Sequence, residues 1–278
     1  MEIARPWVMG ILNVTPDSFY SASRTLGNEE IATRVRQLVS QGADIIDIGG
    51  YSSRPGADDV TAQEEYARLK RGIEAVKAIA PEMIISIDTF RADVARRCVI
   101  DDGADIINDI SGGDLDSCMH ATVAQLHTPY VMMHTRSTPA TMQQHCDYPH
   151  GVTADVIASM GRKIDHLRQL GVCDIIVDPG FGFAKTLEQN YELLNNLEEF
   201  HLLGLPLLVG ISRKSMIYRL LGTTPEESLN GTTVLNTAAL LHGCHILRVH
   251  DVAQAVEAVK ITSALTRNYE YKPLYTQI

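Results

Sequence analysis

Eight short runs of apolar, largely β-branched residues recur along the chain, and their spacing limits what it can fold into more than any other feature. They are WVMGILNV (7–14), ADIIDIG (43–49), MIISIDT (83–89), ADIINDI (104–110), PYVMMHT (129–135), CDIIVDP (173–179), LPLLVGIS (205–212) and CHILRVHD (244–251). Most are nearly continuous in apolar character, as strands buried on both faces of a parallel sheet must be. Helical patterns separate most of them. In NEEIATRVRQLVSQGA, Ile31, Val35, Leu38 and Val39 fall on one helix face, and Gly42 ends the pattern. Comparable patterns occupy 61–80, 91–104, 153–171, 190–204, 228–243 and 251–265. Eight strands alternating with helices in 278 residues fit a (β/α)8 barrel, for which about 250 residues is typical. An open doubly wound sheet is the alternative. No linker or shift of composition divides the chain, so residues 1–278 read as a single α/β domain with NYEYKPLYTQI as a surface tail.

The net charge of -10 argues against general attraction to nucleic acid or an acidic membrane. An anionic ligand therefore needs a local basic cluster. The five cysteines form no CxxC pair and are odd in number, which reads as free thiols in a reducing cytoplasm. The N-terminal stretch MEIARPWVMGILNV lacks the pattern of a signal peptide, and no run approaches the length of a membrane span.

Polar residues gather where the apolar runs end. Asn13, Asp88, Asn108, Asp109, His134, Asp178, Ser212, Arg248 and His250 all lie at or just past the C-terminal ends of these runs. In a parallel barrel those ends share one rim, where active sites are built. After Asp178, the sequence PGFGF turns the chain, and its glycines let backbone pass close to a ligand. Either Phe181 or Phe183 is then placed to stack on a flat heterocycle. Asp88, Asn108 and Asp178 offer acceptors and an amide to the edge of such a ring. Arg248 and His250, two apart on the last run, point the same way, and GISRKS adds Arg213 and Lys214 from the run before it. Four basic groups on neighbouring strand ends read as an anion site, with Arg a planar fork suited to phosphate. Arg34 and Arg36 read as a solvated helix face. The histidines and cysteine of HGCHILRVH match no usual zinc spacing, and neither a dinucleotide fingerprint nor a P-loop is present.

MGILNVTPDSF (9–19), GGYSSRPGA (49–57), SIDT (86–89), IINDISGG (106–113), MMHTRSTPATMQ (132–143), DPGFGF (178–183), GISRKS (210–215) and RVHD (248–251) closely resemble the dihydropteroate synthases, in order and over essentially the whole chain. The resemblance implies a TIM barrel. It implies an enzyme, a transferase, that joins p-aminobenzoate to 6-hydroxymethyl-7,8-dihydropterin pyrophosphate, giving 7,8-dihydropteroate and pyrophosphate for folate synthesis. Asp88, Asn108 and Asp178 resemble the family's pterin-edge binders, with Met133, Phe183 and Lys214 lining the pocket. Asn13 is similar to the residue beside Mg2+. Arg248 and His250 resemble the pyrophosphate anchor, joined by Ser53 and Arg54. Gly210 and Ser212 correspond to the region near the p-aminobenzoate carboxylate. Arg248, His250, Lys214 and Asp17 are the catalytic candidates. The same resemblance implies sulfonamides as competitors and a cytoplasmic homodimer.

The chain departs from the family at two loops. SFYSAS stands where the family has roughly SFSDGG, so Ser21 replaces a second acid, although Asp17 remains. GYSSRPG stands for GESTRPG, so Tyr51 replaces an acid and Ser53 a threonine, keeping the hydroxyl. A corrinoid methyltransferase shares the pterin groups but needs no pyrophosphate anchor, which SSRPG and RVHD supply. A pterin-binding paralogue without turnover is the other alternative.

Overall fold

The computed structural model of the protein describes residues 3–15, 24–51, 60–136 and 145–266. Eight parallel strands form one sheet: β1 (Trp7–Asn13), β2 (Ile45–Gly49), β3 (Ile84–Asp88), β4 (Ile106–Asp109), β5 (Tyr130–Met133), β6 (Ile175–Asp178), β7 (Leu208–Val209) and β8 (Ile246–Val249). The order is β6-β5-β4-β3-β2-β1-β8-β7, and a parallel bridge between Val177 and Leu207 closes the ring. The result is a TIM barrel, and the open-sheet alternative falls away. Every strand lies within one of the apolar runs. β7 is shortest because the ladder holds only at Leu208 and Val209.

The helices are α1 (Arg24–Ser40), α2 (Ala62–Ile79), α3 (Ala92–Ile100), α4 (Met119–Leu126), α5 (Val152–Gln169), α6 (Leu187–Asn195), α7 (Ser215–Leu221), α8 (Leu229–Leu241) and α9 (Val252–Thr266). A 3₁₀ segment, Leu197–Leu203, completes the stretch that reads as one helix over 190–204. The caps show why the boundaries fall where they do. Thr61 accepts from the Glu64 amide at the start of α2, and Thr186 with Gln189 forms a reciprocal capping box at α6. α4 and α7 have no counterpart in the sequence patterns. They span eight and seven residues, too short for a helical period to emerge.

Strand alternation sorts the core into two layers. Val8, Ile46, Ile85, Ile107, Met132, Val177, Val209 and Leu247 face outward into the main core, which includes Leu38, Leu69, Val123, Leu167 and Val259 from the helices. Trp7, Met9, Ile45, Ile106, Val131, Ile176, Leu208 and Ile246 fill the inside as a floor. Two residues further along β2, β3, β4, β6 and β8, the inward positions turn polar, with Asp47, Ser86, Asn108, Asp178 and Arg248. That change of chemistry above a closed apolar floor creates the site.

All five cysteines are free thiols, with Cys98 and Cys244 buried. Among the described residues, no helix is long and apolar enough to cross a membrane.

Candidate active site

Above the floor, inward residues from different strands bond to one another. Asp47, mid-strand on β2 and wholly inaccessible to solvent, is the centre. It accepts from Ser86 Oγ at 2.6 Å, Asn108 Nδ2 at 3.1 Å and Arg248 Nε at 2.7 Å. Arg248 Nη2 then reaches Asp88 Oδ2 at 2.7 Å. Burial works against the Arg248 charge, but Asp47 and Asp88 outweigh it and hold the guanidinium above its ordinary range. Burial pushes the Asp88 carboxyl up, with Asp47 and Glu65 adding to the shift and Arg248 opposing it. Its side chain keeps 21% exposure, so it stands at the rim while Asp47 does not.

Opposite them, Asp178 ends β6. Burial raises its pKa, opposed by Lys214 and by the Gly180 amide, which donates to Oδ1 at 2.8 Å. Gly180 has φ 73, and a Cβ there would stand 2.0 Å from the His134 carbonyl oxygen. Only glycine lets this loop cross the end of β5 so closely. Gly182 has φ 80, and a Cβ on it would press on Lys214 Cδ at 3.2 Å. The two phenylalanines part company: Phe181 is a fully buried core residue, while half-buried Phe183 has Lys214 Nζ 4.8 Å from its ring centroid. Lys214 also donates to the Phe181 carbonyl at 2.6 Å, and burial pushes its pKa down to about 8 against the pull of Asp178. Gly210 lies between the two cations. A Cβ there would be 3.8 Å from both Arg248 Cβ and Lys214 Nζ. Met133 is buried beside Gly180.

His250 is fixed on three sides. Its amide donates to Ser212 Oγ at 3.2 Å, its Nδ1 lies 3.1 Å from the same oxygen, and its carbonyl accepts from Arg34 Nη2 at 2.6 Å. Burial and then Arg248 lower its pKa to about 4, so the ring is neutral near pH 7. Ser212 Oγ already accepts one hydrogen and has its own to give. Donation to Nδ1 leaves the ring proton on Nε2.

The barrel thus gathers Asp88, Asn108, Asp178, Met133, Phe183, Gly210, Ser212, Lys214, Arg248 and His250 around one end. Asn13 joins them through Gly49: a Cβ at Gly49 would lie 3.3 Å from Asn13 Oδ1 and 3.9 Å from Asp88 Oδ2. Asp17, Ser53 and Arg54 lie outside the described residues, as does Ser21.

Four expectations are corrected. Arg213 is not part of the basic cluster: its fork grips both oxygens of Asp251 at 2.8 Å and the carbonyls of Pro225 and Glu226. Asp109 faces out of the barrel, where it takes the Ser111 amide and hydroxyl, the Gly113 amide and the Tyr130 hydroxyl. His134 is buried, and Lys185 Nζ lies 3.3 Å from its Nδ1; burial pushes the ring down to about 2. Arg34 is not merely solvated, because it holds His250; Arg36 stays exposed beside Glu29. Sequence reasoning also missed Lys185. It is 3% exposed and donates to the carbonyls of Gly180 and Phe183, bracing the glycine loop from behind.

Mg2+ is a hard cation that takes few protein ligands when phosphates and water complete its shell. Asn13 Oδ1, open beside Gly49, fits that role as a neutral oxygen donor near the Arg248–Asp88 pair. Among the described residues no group of three or more His, Cys, Asp or Glu forms a self-contained metal site.

A family model described as pterin binding enzyme matches residues 9–250. The dihydropteroate synthase of Synechocystis is 43% identical over 95% of this chain and 91% of its own length, and that of Escherichia coli K12 is 41% identical over 98% and 96%. The chain belongs to the dihydropteroate synthase family. Its members are transferases. The fold agrees: a Clostridium difficile dihydropteroate synthase solved in the presence of pteroic acid superposes with a TM-score of 0.88 at 35% identity, covering 95% of this chain and 97% of that one. The Xanthomonas albilineans enzyme with 4-aminobenzoic acid gives 0.87 at 35%, covering 96% and 95%. The Yersinia pestis enzyme in complex with a sulfonamide drug gives 0.87 at 37%, covering 96% of each.

Lys214 supplies a direct check on this environment. A ¹³C NMR titration of its Cε is expected to show a transition near pH 8, well below that of a solvated lysine. Asp178→Asn removes the carboxylate that holds the proton on and is expected to move the transition lower still. A normal lysine titration would show that the amine is not desolvated.

Proposed function

We propose that this chain condenses 6-hydroxymethyl-7,8-dihydropterin pyrophosphate with p-aminobenzoate, giving 7,8-dihydropteroate and pyrophosphate. One observation carries the reading: acceptors and anion-binding donors occupy different strand ends of one mouth. Asp88, Asn108 and Asp178 offer oxygens to a donor-rich heterocycle edge, while Arg248 and His250 flank them on β8 and just past it. The Xanthomonas relative, which shares this fold, was solved with 4-aminobenzoic acid.

In this reading Asp178 accepts from the pterin's amino and ring N–H groups, and Asn108 and Asp88 complete that edge. Phe183 and Met133 cover the bicycle, and Lys214 donates to it. Arg248, His250 through Nε2–H, Ser53 and Arg54 hold the diphosphate. The region of Gly210 and Ser212 receives the p-aminobenzoate carboxylate. Asn13 would hold Mg2+, which when bound would supply positive charge to a leaving group that is gaining negative charge. Asp17 is the acid that the sequence of the first loop retains.

The carbon–oxygen bond breaks before the amine attacks. The electron-rich dihydropterin stabilises positive charge on its exocyclic methylene, whereas an aniline nitrogen is a weak nucleophile. Arg248 and His250 stabilise the departing pyrophosphate; the p-aminobenzoate amine then bonds to the methylene and releases a proton. The loops at 15–27 and 51–59 keep water from the cation. Sulfonamides, which carry the same aniline, compete at the p-aminobenzoate subsite, as the Yersinia complex supports. The free thiols and the lack of a membrane-length helix among the described residues accord with a cytoplasmic place of work. Val234 and Leu241 on α8 and Ile261 and Leu265 on α9 are exposed apolar side chains on two helices that pack together. They offer a face for a homodimer.

Three measurements test the proposal. With both substrates and Mg2+, pyrophosphate release is expected. Arg248→Ala is expected to lower kcat/KM for the pterin pyrophosphate by about 10²–10³ and to leave free pterin binding less affected, whereas Asp178→Asn weakens both. No release by the unaltered chain would defeat the synthase reading, and pterin binding without release would favour a paralogue that has lost turnover. Labelled pyrophosphate is expected to exchange into the pterin substrate without p-aminobenzoate, and strict dependence of exchange on the amine would overturn the dissociative order. Sedimentation equilibrium is expected to give twice the chain mass, and Val234→Glu with Ile261→Glu is expected to halve it; a monomeric parent would refute the dimer.

A further inference from the structure

We propose that Asp47 is a positioning residue that couples the two halves of the mouth, holding Arg248 and Asn108 in their working orientations at once. The inference rests on the division of the mouth into a heterocycle half and a diphosphate half. Asp47 has zero exposure, so no ligand touches it. Its Oδ1 takes Ser86 Oγ at 2.6 Å, and its Oδ2 is shared by Asn108 Nδ2 at 3.1 Å and Arg248 Nε at 2.7 Å.

The consequence for Arg248 is geometric. A guanidinium is planar and rigid, so fixing Nε fixes the directions of both terminal nitrogens. Nη2 meets Asp88 at the rim, and Nη1 makes no hydrogen bond to a described residue. Asp88 alone holds one end of a long side chain. Asp47 holds the pivot.

The consequence for Asn108 is chemical. A carboxylate can only accept, so the nitrogen of the Asn108 amide must face Asp47. Its Oδ1 is thereby left as the free acceptor. Together with Asp88 and Asp178, this makes the heterocycle half a ring of acceptors, selective for a flat ligand whose edge carries several N–H donors. A ligand edge of acceptors finds no partner among these three groups. Because one buried carboxylate sets both orientations, ordering Asn108 by a bound heterocycle also steadies Asp47 and so Arg248. Occupation of one half is thus expected to favour the other.

The test is calorimetric, with the intact protein, a free 6-hydroxymethyl pterin and pyrophosphate with Mg2+. In the unaltered protein, pyrophosphate is expected to bind at least about fivefold tighter when pterin is present. Asp47→Asn keeps the volume but offers a donor and no charge. It is expected to weaken pyrophosphate by at least about tenfold and to bring the coupling ratio close to one. Ser86→Ala removes a bond to the same carboxylate without touching Arg248 or Asn108, and is expected to change each affinity by less than about threefold. Equal losses in both variants, or an Asp47→Asn protein with lower Tm but intact coupling, would reduce Asp47 to a structural part. If the unaltered protein binds neither ligand, the proposed function fails first; if it binds both and Asp47→Asn retains the coupling, only this inference fails. Should Asp47→Asn not fold, the Arg248 Nε–H resonance decides, assigned by its loss in Arg248→Lys. A downfield, slowly exchanging line that persists with both ligands bound is expected. A line in fast exchange with water would overturn the proposal.

Discussion

A guanidinium keeps its charge inside a barrel and must therefore be paired there. That requirement organises the site. An isolated ion moved into such surroundings loses several kcal/mol even after relaxation. Arg248 is held by Asp47 from below and by Asp88 from the rim. Asp47 in turn has its oxygens satisfied by Ser86 and Asn108. Each group is tolerable because the next one is present, and the chain of bonds crosses β8, β2, β3 and β4. The apolar floor of Trp7, Met9 and their neighbours supplies the dry base that makes these bonds strong.

The second constraint is space. Where the other inward positions carry polar side chains, Gly49 and Gly210 carry none. A Cβ at Gly49 would press on Asn13 Oδ1 at 3.3 Å, and one at Gly210 would fill the space between Arg248 and Lys214 at ordinary contact distance. Gly180 and Gly182 do the same for backbone, letting the loop after β6 lie against β5 while its carbonyls engage Lys185 and Lys214. Two lysine amines thus clasp one glycine loop, Lys185 through the carbonyls of Gly180 and Phe183 and Lys214 through that of Phe181 between them. The loop's carbonyl dipoles and the Asp178 carboxylate together offset the burial that works against a charge on Lys185.

The barrel was legible because parallel strands buried on both faces leave continuous apolar runs, and the helices between them leave a 3.6-residue period. The rim was legible because those runs end in polar residues. What escaped notice has a common cause: orientation and pairing are not written in residue type. Asp47 sits inside the run ADIIDIG, where parity alone marks it as inward. Asn108 and Asp109 look equivalent in sequence, yet one step along β4 sends the first into the barrel and the second outside to Tyr130. Arg213 and Arg248 look like one cluster, but Asp251 stands beside the first and Asp47 beneath the second. Arg34 reads as a surface residue until α1 packs beside the end of β8 and brings it to the His250 carbonyl. Lys185 is two residues beyond a phenylalanine in a loop, with nothing in that pattern to foretell full burial.

Tyr51, where the family carries an acid, fits this charge balance. It packs edge-on to Phe90 with centroids 5.3 Å apart, and the Arg91 guanidinium lies 5.4 Å from its ring and 4.9 Å from that of Phe90. Arg91 is also ion-paired to the wholly buried Glu65. Asp88 already feels the repulsion of Asp47, Glu65 and Asp109, which adds to the burial that raises its pKa. A neutral aromatic ring keeps Arg91 in place through its face and edge while adding no charge. The substitution therefore changes how the second loop is rooted: an aromatic contact with Phe90 and Arg91 stands in the place of a charge.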